Sequence, residues 1–380
     1  MTARAGVAVV STLAAAVAAC TRPGEDRAAR DEQVGLADAP GVAVRVAGGL
    51  AHVRALTAAP GGGGALTLWA QAPVVELTVE LTAAVAGSWT VTVENALADL
   101  ALDATTAAGP APAATLGGPR PTVRGWQLEL PPGVASLRLA PPDAEQRAPW
   151  RFAVMGDIQD ALPTVHEVFA RINAELAPGP APAPRFVIST GDLVHRGRED
   201  EYELLERQLT TLELPFYSTV GNHELWDDVE RWYRRFGRAT VHFDFRGVAF
   251  SLVDSASAGI DPAVDALLDG WLAEHAAGLH VFATHYPPLD PIGVRMGSFA
   301  SRREAQALLG RLAAGGVDLT LYGHLHTYTG FVNAGIPAHV SGGGGAEPMR
   351  LDGIDRHFLV VDVDPAAEVV TGVGVVRVDP

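Results

Sequence analysis

The chain contains no lysine. All 28 of its basic residues are arginine, set against 44 Asp and Glu, for a formal net charge of −16 over 380 residues. So acidic a chain disfavours nucleic acid and anionic bilayers as partners, since both require a positive face. Cysteine is nearly absent too. Cys20 is the single one, so no intrachain disulfide can form. Aromatic residues make up 7%. The most apolar stretch, Met1–Ala19, has the length of a secretory signal and falls short of a membrane span. Alanine, glycine and proline are plentiful, with 41 Gly and 27 Pro. That bias reflects a GC-rich genome and says little about function. The length fits two domains.

The N-terminus carries one positive charge, Arg4, then small apolar residues ending Val17-Ala18-Ala19-Cys20. This resembles a bacterial lipoprotein signal. The resemblance implies removal of residues 1–19, lipidation of Cys20, and residence on the outer side of the cytoplasmic membrane as an exported, membrane-anchored lipoprotein. Acyl chains on one cysteine supply the multi-chain anchoring that a single chain does not. Loss of Arg4 takes the charge from −16 to about −17. Residues 20–39 are charged and lack periodicity, so they read as a flexible tether.

Residues 40–143 have another texture. Segments such as Val74-Val75-Glu76-Leu77-Thr78-Val79-Glu80-Leu81 alternate apolar and polar side chains, as half-buried strands do. Similar stretches lie at Gly41–Val46, Ala51–Leu56, Ala65–Ala70, Ser88–Val93, Thr122–Leu130 and Ala135–Leu139, between Gly- and Pro-rich turns. They predict a small all-β sandwich. Ala104–Pro121 is low-complexity Ala, Pro and Gly and reads as an exposed loop. Pro141–Pro149 reads as a stiff linker.

From residue 148 onward the texture changes again, to apolar runs each ending in a small residue followed by a polar one. Five such motifs are Gly156-Asp157-Ile158-Gln159, Gly191-Asp192-Leu193-Val194-His195, Gly221-Asn222-His223-Glu224, Thr284-His285-Tyr286 and Gly323-His324-Leu325-His326. Runs such as Phe186-Val187-Ile188 predict buried parallel strands. The residue just past such a strand lies at the carboxyl edge of the sheet, where open α/β folds place their chemistry. Asp, Asn and His are oxygen and nitrogen donors suited to Zn, Mn or Fe. Helical spacing over Leu162–Ala177, Glu199–Thr211, Asp261–Ala276 and Arg302–Ala314 predicts helices covering the sheet faces.

Taken together and in this order, the motifs resemble those of the calcineurin-like metallophosphoesterase superfamily. The resemblance covers residues 148–380. It implies an α/β (α+β) four-layer sandwich and two bound divalent or trivalent cations (Mn, Fe or Zn). Asp192 would bridge them. Asn222, His285 and His324 would complete one site, and Asp157 and His326 would belong to the other. His223 would face the substrate and serve catalysis with Asp192. The implied activity is hydrolysis of small phosphate esters, with water attacking phosphorus. Some members carry an N-terminal β-sandwich of this kind.

One position departs from the pattern. The family's first motif is Asp-x-His, and Gln159 stands where the histidine would be. Purple acid phosphatases place a tyrosine three residues past the bridging Asp, and here that residue is His195. Gln159 and His195 are therefore expected near the first metal. Gln159 also keeps a second reading open, a cell-envelope lipoprotein with a binding role and a structural or feeble metal site. Among the arginines Arg196, Arg198, Arg295, Arg302 and Arg303, Arg295 is the expected phosphate clamp, because it follows His285 in the same loop. Tyr328 is expected either to line the pocket or to pack in the core. Asp254 reads as a turn or cap residue. His52, His166, His242, His275, His280, His339 and His357 lie outside the motifs and read as structural or solvated. The chain leaves its oligomeric state, its metals and the organic part of its substrate open.

Overall fold

The computed structural model describes residues 24–59, 61–275, 278–293, 297–349 and 354–378. The first part of the chain forms two antiparallel-rich sheets. One has six strands in the order β1 (Leu36–Ala39), β2 (Val42–Val46), β5 (Val75–Leu81), β11 (Gly133–Ala140), β7 (Ala101–Thr106) and β8 (Gly109–Pro110). The other has five, in the order β3 (Ala51–Ala58), β4 (Gly64–Ala70), β6 (Gly87–Glu94), β10 (Val123–Leu130) and β9 (Ala113–Leu116). Strand β5 alternates strictly between buried and exposed, so Val75, Leu77, Val79 and Leu81 point inward and Glu76, Thr78 and Glu80 outward. Its apolar face meets Leu68, Val91 and Trp126 of the other sheet in a shared core.

Two expectations are corrected here. Residues 104–121 are not a loop throughout: the end of β7, then β8 and β9, add edge strands to both sheets. Their small side chains give no apolar signature, and main-chain pairing holds them. The expected tether is also ordered where it is described. Helix α1 (Gly24–Asp31) and strand β1 occupy it. Arg27 and Asp31 are each only 2% exposed. The Arg27 guanidinium donates to both carboxylate oxygens of Asp254, at 2.6 and 3.1 Å. Asp31 accepts the N–H groups of Ala239 and Thr240 at 2.8 and 2.9 Å.

The second part is a helix–sheet–sheet–helix sandwich. One sheet has the order β14 (Phe216–Ser218), β13 (Pro184–Ser189), β12 (Trp150–Met155), β21 (His357–Asp364), β22 (Val369–Arg377). The other runs β15 (Val241–Phe245), β16 (Val248–Val253), β17 (Leu279–Thr284), β18 (Leu319–Tyr322), β20 (Ile336–Ser341), β19 (Tyr328–Asn333). Strands β12, β13 and β14 are mutually parallel, as are β16, β17, β18 and β20. The sheets face each other across an aromatic cluster. Trp150 meets Phe245 edge-on at 5.3 Å, and Phe152 meets Phe250 at 5.2 Å.

Helices α2 (His166–Asn173) and α3 (Glu199–Leu209) cover the outer face of the first sheet, where Phe169 and Leu205 join Met155 and Val187. A short helix α4 (Glu230–Tyr233) follows. Helices α5 (Pro262–Glu274) and α6 (Arg302–Ala314) cover the second sheet. Asp261 caps α5 through the Ala263 N–H with proline next in line, and Ser301 caps α6 through the Glu304 N–H.

The two parts meet through polar anchors. Asn95 donates to the carbonyls of Ala70 and Phe216 and accepts the Phe216 N–H at 2.7 Å. Arg54 reaches Glu94 at 2.6 Å and Glu206 at 2.8 Å. The core of the β-sandwich and the interior between the two sheets of the second part form one continuous apolar cluster.

Candidate metal centre

Every motif residue follows the carboxyl end of a parallel strand. Asp157 comes after β12, Asp192 after β13, Asn222 and His223 after β14, His285 after β17, and His324 after β18. The turns that aim them are tight. Asp157, Gln159, Asp192 and His324 all adopt positive φ, between 47° and 65°. Non-glycine residues occupy that region at a cost, and such residues concentrate at functional sites. The glycines beside them allow close approach. A Cβ on Gly221 would strike the Asp192 carboxylate, and one on Gly323 would crowd Asp157.

The carboxylates are buried and surrounded by imidazole and amide groups. Asp157 accepts the His324 N–H at 3.0 Å from each oxygen. His326 Nε2 lies 3.6 Å from Asp157 Oδ1 and 3.1 Å from Gln159 Nε2. Gln159 in turn donates to Asp192 Oδ2 at 2.8 Å. On the other flank His285 Nε2 stands 3.4 Å from that same Asp192 oxygen and 3.1 Å from Asn222 Oδ1. Donor atoms of Asp192, His285 and His324 all lie within 4.8 Å of one another. Asp192 therefore stands between two donor sets, Asp157–Gln159–His326 and Asn222–His285–His324.

The outer ring nitrogens are fixed by backbone carbonyls. His285 Nδ1 meets Thr190 O at 2.9 Å, and His326 Nδ1 meets Glu347 O at 2.8 Å. Such bonds set the tautomer and leave Nε2 facing inward, as metal-binding histidines require. Burial alone would lower the His285 pKa, but Asp192 outweighs it and pushes the group up to about 9. Burial alone would raise Asp192, yet His285 and His223 hold it below the usual carboxylate range. The buried Asp192 charge thus favours positive charge at His285 Nε2, the place a cation would take. The oxygen and nitrogen donors, their convergence and that pull fit a pair of borderline cations.

His223 sits beside this cluster. Its Nδ1 donates to the His195 carbonyl at 2.5 Å, and its Nε2 lies 3.8 Å from Asp192 Oδ2. The ring stacks on Trp226 at 4.1 Å and 25°. The His195 ring stands 5.5 Å from His223 and 6.0 Å from Trp226, so its neighbours lie on the His223 side. Gln159 is the residue that reaches Asp192 and His326 at the first donor set. Tyr328 turns to His339, with Oη 3.3 Å from Nδ1, and packs against the core. Arg295 and Cys20 lie outside the described residues. Arg198 pairs with Asp200 and Glu201 on the surface.

Two residues whose roles the sequence does not reveal complete the site. Glu224 is fully buried and accepts four N–H groups, from Gly221, Asp192, Leu193 and Val194, at 2.6 to 3.2 Å. It locks the turn that carries Asp192 onto the turn that carries Asn222 and His223. Burial and the Asp192 charge push its pKa up to about 7 against those donors. Trp226 is 49% exposed despite its size. Its signal is positional: it stands three residues past His223, at the end of a single 3₁₀ turn.

Residues 151–328 match the calcineurin-like phosphoesterase family. The match is to that domain, which spans a little under half of the chain, 178 of its 380 residues. Among curated proteins it is 34% identical over 55 residues to "Probable glycerophosphodiester phosphodiesterase GpdQ" of Arcobacter nitrofigilis, a match covering 14% of this chain and a fifth of that protein. Among solved structures it is similar to a purple acid phosphatase from yellow lupin (Lupinus luteus) seeds. That likeness has 14% identity and a TM-score of 0.44, and covers 80% of this chain and 72% of that one. It is also similar to a dimetal phosphatase from Danio rerio, with 12% identity and a TM-score of 0.45, covering 56% and 92%.

Proposed function

We propose that this chain is a two-metal-dependent hydrolase of small phosphate esters that works outside the cytoplasm. The observation that carries the reading is the placement of the Asp192 carboxylate between two converging donor sets, with His223 alongside. Asp157, Gln159 and His326 would hold one cation, and Asn222, His285 and His324 the other, with Asp192 touching both. When bound, such a pair neutralises phosphoryl charge and makes water nucleophilic near neutral pH.

The chain's own residues do the rest. His285 and His326 present Nε2 because their Nδ1 protons are committed to backbone carbonyls. His223 keeps its Nδ1 proton on the His195 carbonyl, so proton exchange with a substrate oxygen takes place at Nε2. Trp226 holds the imidazole plane and offers its exposed face to the organic part of the substrate. Export and anchoring through Cys20 rest on the signal-like Met1–Ala19 and the Val17-Ala18-Ala19-Cys20 sequence. Helix α1 begins at Gly24, four residues past Cys20, so a lipid on Cys20 would hold the enzyme close to the bilayer.

Metal analysis of the purified chain, paired with a panel of phosphate mono- and diesters, tests the reading. Turnover should require the metals, and Asp192→Asn should abolish it while lowering metal content. Full turnover by that variant would overturn the two-metal assignment. For the anchor, Cys20→Ser should move the protein from the detergent phase to the aqueous phase, and unchanged partitioning would refute it.

A further inference from the structure

A second cluster of donors lies at the other end of the catalytic sandwich. His242 and Asp244 are two residues apart on edge strand β15, so they share a face, while Val241, Phe243 and Phe245 point into the core. His275 caps the C-terminus of the 13-residue helix α5 and reaches the same place. Ligand atoms of these three side chains all lie within 4.8 Å of one another. His275 Nε2 is 3.3 Å from Asp244 Oδ2. His280, near the start of β17, is five residues before His285, which puts this cluster about 15 Å from the catalytic centre at strand rise.

The surroundings of His242 are those of a ligand. Its ring lies flat on Trp271, at 4.7 Å and 6°, which fixes its plane. Its Nδ1 meets Ser251 Oγ at 2.9 Å, and the same hydroxyl meets His280 Nε2 at 2.9 Å. Ser251 can accept from His242 Nδ1 while donating to His280 Nε2. His242 Nε2 then presents a lone pair, yet it is buried and has no hydrogen-bond partner among the described residues. A buried polar atom in that state calls for an occupant. No basic residue occupies the last turn of α5, and the dipole of that helix end favours a cation there.

We propose that His242, Asp244 and His275 form a further metal site for a borderline divalent cation such as Zn²⁺, with Ser251 and His280 orienting His242. Two imidazoles and one carboxylate are a ligand set that zinc accepts, with water in the fourth position. Asp244 and His275 also line the cavity of about 520 Å³ between the two parts of the chain, through which the ion would enter. The ion would tie edge strand β15 to the end of α5.

Zinc titration of the chelator-stripped full chain, read by metal content per chain and by thermal unfolding, tests this. Wild type should bind one more Zn²⁺ than either His275→Gln or Asp244→Asn, whatever the catalytic centre holds. Zinc should raise the unfolding temperature of wild type more than that of the variants. Both substitutions are at partly or fully exposed positions, and circular dichroism of the metal-free proteins confirms folding. Turnover of any phosphate ester by the loaded variants should match wild type. Equal zinc content in wild type and both folded variants would overturn the proposal.

Discussion

Arg27 and Asp254 are 227 residues apart in the chain and meet in a buried, two-pronged ion pair, 2.6 Å at its shorter contact. Asp254 also accepts the Ala256 N–H at 2.9 Å, so it does act as a turn residue, but the guanidinium is its main partner. The pair seals helix α1 against the catalytic sandwich. Tyr233 adds a hydrogen bond from its hydroxyl to the Arg27 carbonyl at 3.0 Å.

Arg27→Ala should therefore leave a carboxylate buried without its cation. The expected loss is about 3–5 kcal/mol of folding stability, the range for breaking a buried pair from one side. Urea unfolding measures it. The double substitution Arg27→Met with Asp254→Asn should recover much of the loss, because it removes the stranded charge. A single variant as stable as wild type would mean that α1 is only loosely docked.

Asp31, one turn further along α1, makes stability depend on pH. Burial pushes its pKa from 3.8 up to about 7, although Arg238 and the two N–H donors act the other way. A folded-state pKa above the unfolded one means that the folded chain binds the extra proton. The stabilisation is full below about pH 4 and is lost as pH rises through about 7. Asp31→Asn removes this dependence. Between pH 4 and 8, wild type should lose roughly a few kcal/mol of stability relative to that variant. A constant difference across the range would show that Asp31 stays ionised throughout.

The five strand-end motifs are legible in the sequence because parallel strands impose a local pattern. Each needs an apolar run, a small residue for the turn and a polar side chain at the sheet edge. Gly191-Asp192 and Gly323-His324 carry all of that within a few residues. What is not legible depends on distant partners. Nothing near Arg27 announces Asp254, and nothing near Glu224 announces the N–H groups of Leu193 and Val194 that it gathers. Strands β8 and β9 are hidden for another reason. Gly109, Pro110 and Ala113–Leu116 pair through the main chain and bury little, so no periodicity marks them. The histidines outside the motifs were expected to be structural or solvated, yet His242, His275 and His280 converge only because β15, β17 and the end of α5 bring them together.

Glu224→Gln should weaken metal binding without removing a ligand. The amide nitrogen cannot accept the N–H groups that one carboxylate oxygen now takes, so the Asp192 turn shifts. A change at this remove from a metal lowers affinity by about 10–100-fold. Metal titration of the stripped protein checks this, with circular dichroism as the control for folding. Wild-type affinity in the variant would reduce Glu224 to a fold residue.

His223→Ala should lower kcat by about 10²–10⁴, the contribution of one positioned acid or base, with metal content unchanged. Trp226→Ala should reproduce part of that loss, since His223 keeps its hydrogen bond but loses the ring that fixes its plane. Trp226→Phe should restore it. Loss of a metal ion from the His223 variant would show that the imidazole is a ligand.

The last prediction concerns the neutral donor at the first metal position. Gln159 reaches both Asp192 and His326 through its amide nitrogen, at the place where the resembled Asp-x-His pattern has an imidazole, and turning the amide over would present its oxygen to an ion. Amide oxygen is the poorer donor for borderline cations, so the ion held with Asp157 and His326 should be the labile one. Mild chelation should remove it first, and added Mn, Fe or Zn should restore activity. Gln159→His should tighten that site by about tenfold or more, since imidazole suits these cations better. His195→Ala should leave metal affinity alone, because its ring neighbours are His223 and Trp226 and its carbonyl survives the substitution. Its effect should fall on kcat instead. Metal titrations of the three proteins, each followed by turnover, separate the roles. If His195→Ala sheds the labile ion while Gln159→His binds it no better than wild type, the histidine is the ligand and the glutamine a bystander.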